Sequence, residues 1–260
     1  MMRPRASILA LVVALAAGVA APVPEAAQRL IASISTHRVM VTSNFTGDEL
    51  LLFGAIEGGP QRKTGYDIVA TVIGPRQNMV TYRRGRVLGI WVNVDSRVFE
   101  QAPAYVAVLS NRPLDAIAGM ETRRRLQLGL EYLPLTQRAA VTIADSGLDD
   151  PFRRAFLDLM QRQRLYSEVT NGVTLMTTTF YRASIPLPAT VPVGNYDVEV
   201  RLFADGKLIE RTPSAFEVYK AGFEQYVSSA ARNHGFLYGL TTAMMALATG
   251  WLASVIFRRD

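Results

Sequence analysis

The feature that most constrains this chain is a run of 22 residues, 236–257, that contains no charged side chain. At ~1.5 Å per residue, an α-helix of this length reaches ~33 Å, which matches the ~30 Å hydrocarbon core of a bilayer. Arg258 and Arg259 follow directly, and the positive-inside rule then assigns this end to the cytoplasm. We therefore expect one transmembrane helix over 236–257 and a cytoplasmic tail over 258–260. The alternative is a helix buried in a protein core.

The N-terminal residues predict a secretory signal peptide over residues 1–20. Arg3 and Arg5 precede an apolar stretch, and Gly18 and Ala20 supply the small residues that a signal peptidase requires. We expect cleavage after Ala20, with an uncleaved N-terminal anchor as the alternative. The signal peptide and the charges after the C-terminal run independently predict that the domain between them lies outside the cytoplasm.

Small residues recur along one side of the predicted membrane helix, and this spacing favours close approach by another helix. The alternative is that membrane helices are generally rich in small residues. Before this helix, residues 221–235 predict an amphipathic juxtamembrane helix that lies on the membrane surface or packs on the domain. The predicted helix-packing face consists of Gly239, Ala243, Ala246, Gly250 and Ser254.

The composition excludes several classes of function. The chain has 49% hydrophobic and 19% charged residues, which is typical of a globular protein. It contains no cysteine, which excludes thiol nucleophiles, disulfides, Cys-ligated zinc and iron–sulfur clusters. The formal net charge is +6, but part of this surplus belongs to the arginines at the two ends. The remaining excess is too small and too scattered to indicate nucleic-acid binding.

Runs of β-branched and aromatic residues, bounded by turn residues, predict a mainly β domain over residues 21–220. Because the runs are short and closely spaced, several of them are expected to pair in antiparallel sheets. The predicted strands are Thr36–Thr42, Glu49–Ile56, Tyr66–Ile73, Val87–Val94, Ala104–Leu109, Leu175–Ile185, Tyr196–Phe203 and Leu208–Tyr219.

The last two predicted strands form the clearest hairpin. Asp205-Gly206 separates them, which is a strong signal for a two-residue turn. A Pro-rich crossing leads into the first of these strands near Tyr196. A corner with a tyrosine, followed by a strand and a hairpin, is similar in pattern to an immunoglobulin-like β-sandwich. We therefore expect such a sandwich, followed by a single C-terminal transmembrane helix.

Residues 114–168 interrupt the strands and predict a helical insertion into the sandwich. Two small domains are the alternative. Leu114–Tyr132 has helical spacing, and a second helix is expected to begin at Asp149 or Asp150, with Pro151 in its first turn. The second helix is predicted to have an apolar face of Phe152, Phe156, Leu159 and Met160 and a polar face of Arg153, Arg154, Arg162 and Arg164.

No set of residues commits the chain to a reaction, so we expect no catalytic residues, no metal site and no cofactor. His37 and His234 lie far apart in the sequence and belong to no metal-binding or triad pattern. Asp149 and Asp150 lack the spacing of a calcium loop and are better explained as caps of the following helix. The sequence therefore predicts a protein that is not an enzyme.

One basic stretch is a candidate binding site. Arg83, Arg84 and Arg86 fall in a predicted turn before the strand Val87–Val94. Three guanidinium groups at a hairpin tip can hold an oxyanion or a lipid phosphate. The alternative is a solvated turn with no ligand.

Several segments carry a family resemblance. VTSNFTGDELLLFGAIE (41–57), YDIVATVIGP (66–75), VGNYDVEVRLFADGKLI (193–209) and the ending GWLASVIFRRD (250–260) resemble the alphaproteobacterial transmembrane protein family. The resemblance covers nearly the whole mature chain. It implies a bacterial inner-membrane protein with a periplasmic domain, and an accessory role beside a sulfite exporter-like permease. It implies no catalytic residues.

Three hypotheses follow for the function. The first is a non-catalytic periplasmic accessory or interaction protein, tethered to the inner membrane and acting through protein contacts. The second is an anion- or lipid-binding periplasmic module that uses Arg83, Arg84 and Arg86. The third, an enzyme with a carboxylate site, requires two acidic side chains that converge in a cleft.

Overall fold

The computed structural model describes residues 28–58, 65–139, 142–145, 147–220, 231–232 and 235–256. The predicted signal peptide, most of the predicted juxtamembrane helix and the tail 258–260 lie outside the described residues. The strands are β1 (Arg29–Ile34), β2 (Arg38–Val41), β3 (Gly47–Glu57), β4 (Asp67–Ile73), β5 (Arg76–Val87), β6 (Ile90–Pro103), β7 (Val106–Ser110), β8 (Thr136–Ala139), β9 (Thr142–Asp145), β10 (Tyr166–Thr170), β11 (Val173–Leu175), β12 (Phe180–Pro188), β13 (Gly194–Ala204) and β14 (Lys207–Lys220). The helices are α1 (Leu114–Ile117), α2 (Met120–Leu126), α3 (Pro151–Arg162) and α4 (Gly235–Ile256).

The strands form three sheets, so the chain is mainly β as predicted. Sheet A has the order β1-β3-β12-β11, sheet B has the order β10-β7-β4-β13-β14-β2, and sheet C has the order β5-β6-β8-β9. Neighbours pair in antiparallel fashion except β10 with β7 and β14 with β2, which are parallel. The predicted hairpin at Asp205-Gly206 is confirmed, because β13 and β14 pair on either side of it.

Sheets A and B pack face to face around the larger hydrophobic core. Strand β13 shows why the sequence folds in this way, because alternate side chains of a strand point to opposite faces. Val198, Val200 and Leu202 all point into this core and are buried. Leu52 and Ile185 meet them from sheet A.

The opposite face of sheet B carries a second core. Val69 of β4 and Val106 of β7 pack there against Phe99 and Phe156. Strands β4 and β7 are therefore buried on both faces, which explains why their sequences are almost continuously apolar rather than alternating.

Helix α3 begins where the sequence predicts. The side chain of Asp150 accepts a hydrogen bond of 3.0 Å from the backbone N–H of Phe152, and Pro151 opens the helix. The predicted apolar face is wrong at Leu159, which is 46% exposed, and the predicted polar face is wrong at Arg153, which is only 3% exposed. Its guanidinium donates to the carbonyl oxygens of Glu131 and Leu133, at 2.8 and 2.6 Å. A cation with these acceptors can be buried, whereas a helical pattern alone assigns it to solvent.

The predicted helical insertion over 114–168 is only partly helical. It also contains β8, β9 and the start of β10. The helical spacing over Leu114–Tyr132 covers two short helices, because the backbone is extended at Ala118 and left-handed at Gln127. Hydrophobic periodicity does not report such breaks.

The predicted strand Leu175–Ile185 is also interrupted. Strand β11 ends at Leu175 and β12 begins at Phe180. The hydroxyl of Thr177 accepts hydrogen bonds from the backbone N–H groups of Thr179 and Phe180, at 3.2 and 2.9 Å. This local competition from a threonine side chain turns the chain where the sequence pattern continues.

The C-terminal apolar run forms helix α4, and its described side chains are exposed. Within the described ranges, no helix combines the length and the apolarity that a membrane crossing requires.

Candidate functional site

The β5–β6 hairpin is an outward continuation of two adjacent strands of sheet B, β4 and β7. Strand β4 pairs with β7, and the same ladder continues through Gly74 and Pro75 into β5 and β6. The N–H of Gly74 donates to the carbonyl of Tyr105 at 2.8 Å, and the N–H of Ala104 donates to the carbonyl of Pro75 at 2.7 Å. Because these two hydrogen bonds join the hairpin to the β4–β7 ladder, the buried centre of the domain holds the base of the hairpin.

The outer part of this hairpin is a two-stranded ribbon. Strand β8 flanks only Val98–Glu100 of β6. Farther out, over 81–97, the described residues contain no third strand beside the ribbon. The seven residues 81–87 extend ~23 Å at ~3.3 Å per residue. The hairpin therefore carries its tip well away from both cores.

The tip itself is a two-residue turn at Leu88 and Gly89. Their φ angles are +49° and +86°, as a type I′ turn requires. The predicted strand Val87–Val94 is wrong, because β5 ends and β6 begins within it. The predicted basic turn is also wrong, since Arg83, Arg84 and Arg86 lie in strand β5. A leucine in the first turn position gives no turn signal, and this explains both errors.

Large apolar side chains at the tip are exposed. Leu88 is 99% exposed, and Ile90 and Trp91 are each 67% exposed. Val87 lies directly opposite Ile90 across the turn and is also exposed. Scattered exposed apolar residues are ordinary, but a contiguous group of them marks a contact surface.

The three arginines of the candidate site lie on two faces of the ribbon. By strand alternation, Arg84 and Arg86 share a face with Tyr82. Trp91 lies directly opposite Arg86 and so belongs to the same face. Arg83 points to the other face, where its guanidinium lies 3.8 Å from the carboxylate of Asp95. Residues 82–94 contain no aspartate or glutamate, so Arg84 and Arg86 make their face of the ribbon positively charged, whereas Arg83 on the other face is paired with Asp95.

A β-bulge at Val94 fixes the ribbon below the tip. Arg83 pairs with Asp95 and Arg84 with Asn93, so Val94 is the extra residue. A Cβ atom on Gly85 would lie 2.8 Å from Cγ1 of Val94, so the side chain of the bulged residue occupies the space that a larger residue at position 85 would need.

Below the bulge, Arg97 forms an ion pair within β6 and also connects the ribbon to α3. Arg97 donates to Asp95 at 2.7 Å, and its guanidinium lies 4.7 Å from the ring centroid of Phe152. Cation–π packing of this kind restrains the ribbon base relative to the second core.

Helix α4 carries the other predicted contact surface. Gly239, Ala243, Ala246, Gly250 and Ser254 follow one side of the helix, and all five are exposed. Cβ atoms added to Gly239 and Gly250 would have no neighbour within 4 Å. Among the described residues, this face is therefore uncovered at both glycines.

Four buried tyrosines are the titratable groups whose pKa values are most perturbed. Burial raises the pKa of each hydroxyl well above its ordinary value. Each donates to a backbone carbonyl, for example Tyr196 to Pro192 at 2.6 Å and Tyr166 to Pro103 at 2.7 Å. A neutral phenol with a satisfied hydrogen bond is a structural group, so these shifts do not indicate proton transfer. The four residues are Tyr105, Tyr166, Tyr181 and Tyr196.

The other residues considered from the sequence lie apart from one another. His37 is exposed, and His234 lies outside the described residues. Asp150 is the cap of α3. In the described part of the chain, no group of three or more His, Cys, Asp or Glu residues could hold a metal ion. The feature that sequence reasoning missed is the apolar tip, and its signal was the run of large apolar residues around Gly89.

The comparisons with known proteins extend the resemblance noted in the sequence. No curated protein matches the chain. One family model matches residues 29–259, which include the strands, the hairpin and helix α4. Its description is "Putative transmembrane protein (Alph_Pro_TM)". Since the match covers most of the chain, the protein belongs to this alphaproteobacterial transmembrane protein family.

Proposed function

We propose that this protein is a non-catalytic accessory protein of the bacterial inner membrane, which holds its β domain in the periplasm and acts through contacts. The observation that carries the proposal is the β5–β6 hairpin, whose ordered ribbon ends in exposed apolar side chains. Such a tip adds nothing to either hydrophobic core, so its apolar surface is available for a partner. The family description supports a membrane location.

The anchor in this proposal is the C-terminal run that includes α4. The uncharged run 236–257 has the same length as α4, 22 residues, and it is more apolar than the described side chains of that helix, because it also includes Leu237, Val255 and Phe257. Two arginines follow it, which favours a cytoplasmic C-terminus. The signal peptide over 1–20 supplies export of the domain.

An immunoglobulin-like sandwich is the proposed form of the packed sheets A and B. Tyr196 stands at the start of β13, and its hydroxyl donates to the carbonyl of Pro192 four residues upstream. This geometry is that of a tyrosine corner, which braces the entry into a strand of immunoglobulin-like domains. A fold does not by itself assign a function, so the proposed accessory role rests on the exposed hairpin tip and not on the form of the sandwich.

The proposed partner is a membrane protein, such as a sulfite exporter-like permease. Close packing of the small-residue face of α4 against a partner helix would let the periplasmic domain sit beside that partner. The chain contains no cysteine, so a single introduced cysteine can report this contact without interference.

The experiment compares Ala246→Cys with Ala248→Cys, each carrying a cysteine-directed photo-crosslinker in native membranes. The two alanines lie about 200° apart around the helix at ~100° per residue. We expect a crosslinked product from Ala246→Cys and little from Ala248→Cys. Equal yields from both positions, or recovery of monomer alone, would contradict the proposed contact.

The alternative is an anion- or lipid-binding module that uses Arg83, Arg84 and Arg86. The absence of acidic residues from 82–94 favours it. Since Arg83 points away from the other two, a small anion would be held by Arg84 and Arg86 rather than by all three. Titration of inorganic phosphate against the purified chain tests this version, because Arg84→Glu with Arg86→Glu should abolish binding and Arg83→Glu should not.

A further inference from the structure

We propose that the tip of the β5–β6 hairpin inserts into the interface of an anionic phospholipid bilayer, so that the domain touches the membrane at a second point besides its anchor. The inserted group consists of Val87, Leu88, Ile90 and Trp91. The proposal rests on the proposed function, because helix α4 and the run around it provide the first attachment.

The backbone of the tip is the first observation behind this proposal. Leu88 has a φ of +49°, a region that disfavours residues with a branched or bulky side chain. Asn, Asp and Gly are preferred in this turn position. Leu88 is 99% exposed, so no packing compensates for the strain. A strained and exposed apolar residue indicates a function outside the fold.

The distribution of polar and apolar groups is the second observation. Arg86 lies two residues below Leu88, or ~7 Å at ~3.3 Å per residue, and Arg84 lies ~13 Å below it. The headgroup region is of similar depth, since interfacial segments bury their apolar side chains ~5–10 Å into it. A tip at the acyl boundary therefore sets Arg86 and Arg84 at the level of the lipid phosphates, where guanidinium groups form strong charge-assisted hydrogen bonds.

The aromatic residues fit the same depth. Trp91 lies beside Arg86 across the ribbon, and Tyr82 shares their face. Tryptophan and tyrosine concentrate at membrane interfaces because their rings are apolar at one end and polar at the other. The Nε of Arg86 also donates to the carbonyl of Gly89 at 3.2 Å, which satisfies a turn carbonyl before it leaves water.

The backbone also limits how far the ribbon can enter. Each strand of a two-stranded ribbon has unpaired N–H and C=O groups along its outer edge. These groups cannot enter hydrocarbon without a large cost. The apolar tip of the hairpin can therefore enter the interface, while the ribbon below it stays in the headgroup and water layers.

The β5–β6 hairpin and the connection to the anchor both begin at the same end of the strands of sheet B. Ile73 at the end of β4 pairs with Asp197, and Asp197 pairs with Ala215 near the end of β14. A Cβ on Gly194, which pairs with Val218, would lie 2.9 Å from Pro75. The chain therefore enters the hairpin after β4 and leaves the domain after Lys220 at the same end of the strands of sheet B.

The lengths of the two connections are compatible with one membrane surface. The twelve residues of β5 extend ~40 Å at ~3.3 Å per residue. Fifteen residues, 221–235, separate β14 from the uncharged run, and they reach at most ~50 Å. The tip can therefore meet the bilayer that holds the anchor.

An anionic lipid surface fits the tip better than a folded protein does. Arg84 and Arg86 share a face of the ribbon with Trp91, and residues 82–94 contain no acidic residue, so a partner that supplies negative groups around an apolar centre fits this surface. A bilayer with anionic headgroups presents this combination at any point of its surface. A protein partner would need a matching apolar pocket with an acidic rim, and it remains one outcome of the test.

The experiment uses the full-length chain in vesicles and measures the depth of the tip. Leu88→Cys is labelled with an environment-sensitive fluorophore, and quencher groups are attached to the lipid chains. Lys207→Cys is the matched control. Lys207 is exposed and follows the β13–β14 turn, which lies at the opposite end of the strands of sheet B. The vesicles contain either phosphatidylglycerol with phosphatidylethanolamine or phosphatidylcholine alone.

We expect quenching at Leu88→Cys to exceed that at Lys207→Cys by at least about threefold in the anionic vesicles. The excess should fall in phosphatidylcholine, with added salt, and with the further changes Arg84→Glu and Arg86→Glu. The salt titration keeps the test decisive if the charge-reversal variant does not fold.

Three results overturn the inference in distinguishable ways. Vesicles that carry the chain but give equal quenching at both positions contradict the inserted tip and leave the anchor intact. A chain that does not float with the vesicles contradicts both the anchor and the tip. If Leu88→Cys is protected from labelling in native membranes but is not quenched in anionic vesicles that hold no other protein, the partner of the tip is a protein and not the lipid.

Discussion

Two hairpins of this protein close with the same kind of turn and differ in almost everything else. The β13–β14 turn is Asp205-Gly206, with φ angles of +50° and +78°, and the β5–β6 turn is Leu88-Gly89, with +49° and +86°. Aspartate suits the left-handed first position, whereas leucine does not. A Cβ on Gly206 would approach the carbonyl of Ile117 at 3.8 Å, but one on Gly89 would have no neighbour within 4 Å.

The difference separates a hairpin whose residues suit the fold from a hairpin whose tip residues do not contribute to it. The β13–β14 hairpin uses the preferred turn residue and buries alternate side chains of β13 in the larger core. The β5–β6 hairpin has a firmly held base, an unfavourable turn residue and an apolar tip in solvent. Natural sequences depart from local preferences at functional sites, and the departure here lies at the tip.

The largest difference is expected from one matched pair of leucines. Leu202 in β13 is 0% exposed, and Leu88 at the tip is 99% exposed. Leu202→Ala should lower the free energy of unfolding by about 3 kcal/mol, because it leaves a cavity in a packed core. Leu88→Ala should change it by less than about 0.5 kcal/mol. Urea denaturation of each variant measures both values, and comparable losses would mean that the fold itself depends on the tip.

A pair of tyrosines should show a smaller contrast of the same kind. Tyr196→Phe removes the hydroxyl that donates to Pro192 and leaves this partly buried carbonyl without that partner, which should cost about 1.5 kcal/mol. Tyr82 lies on the exposed ribbon, so Tyr82→Phe should be nearly neutral. Thermal melting of both variants checks the prediction, which fails if the two melt at the same temperature.

The free energy of unfolding should also depend on pH in the alkaline range, because Tyr196 titrates there. Burial raises the pKa of this hydroxyl above the ordinary value of about 10. A group with a raised pKa in the folded state contributes its full stability below the unfolded pKa and loses it as the pH rises above that value. We therefore expect the free energy of unfolding to decline above pH about 10. The decline should be shallower in Tyr196→Phe.

The smallest predicted effect comes from exchanging the turn residues themselves. Leu88→Asn should stabilise the chain by about 1 kcal/mol, since asparagine tolerates a positive φ and leucine does not. Asp205→Leu should destabilise it by a similar amount. Chemical denaturation measures both. A loss of stability in Leu88→Asn would show that the leucine side chain is used by the fold and would remove the contrast between the two turns.

Much of the fold could be predicted from the sequence where local signals and tertiary packing agree. Asp205-Gly206 predicted its hairpin because the turn residues are those that the backbone prefers. Asp150 and Pro151 predicted the start of α3 because capping is a local interaction. Arg153 was assigned to the wrong face, because its two carbonyl partners come from a loop about twenty residues earlier.

The candidate site is less predictable from the sequence, because its turn residue departs from the local preferences on which prediction depends. The sequence shows Arg83, Arg84 and Arg86 as a basic cluster and predicts the hairpin tip at these residues, whereas the turn lies at Leu88 and Gly89. Turn rules identify turns that are good for folding, and this turn is not. The division of the arginines between two faces follows from strand alternation, which becomes readable only when the strand bounds are known.

The most direct test of the central claim is whether the tip is covered when the protein is in its own membrane. The measurement is the labelling of Leu88→Cys by a membrane-impermeant maleimide, compared with Lys207→Cys, in native membranes and after solubilisation in detergent. We predict that Leu88→Cys is protected in membranes and becomes reactive in detergent, while Lys207→Cys reacts in both. Equal reactivity of the two cysteines in native membranes would contradict the claim that the hairpin tip makes the contact.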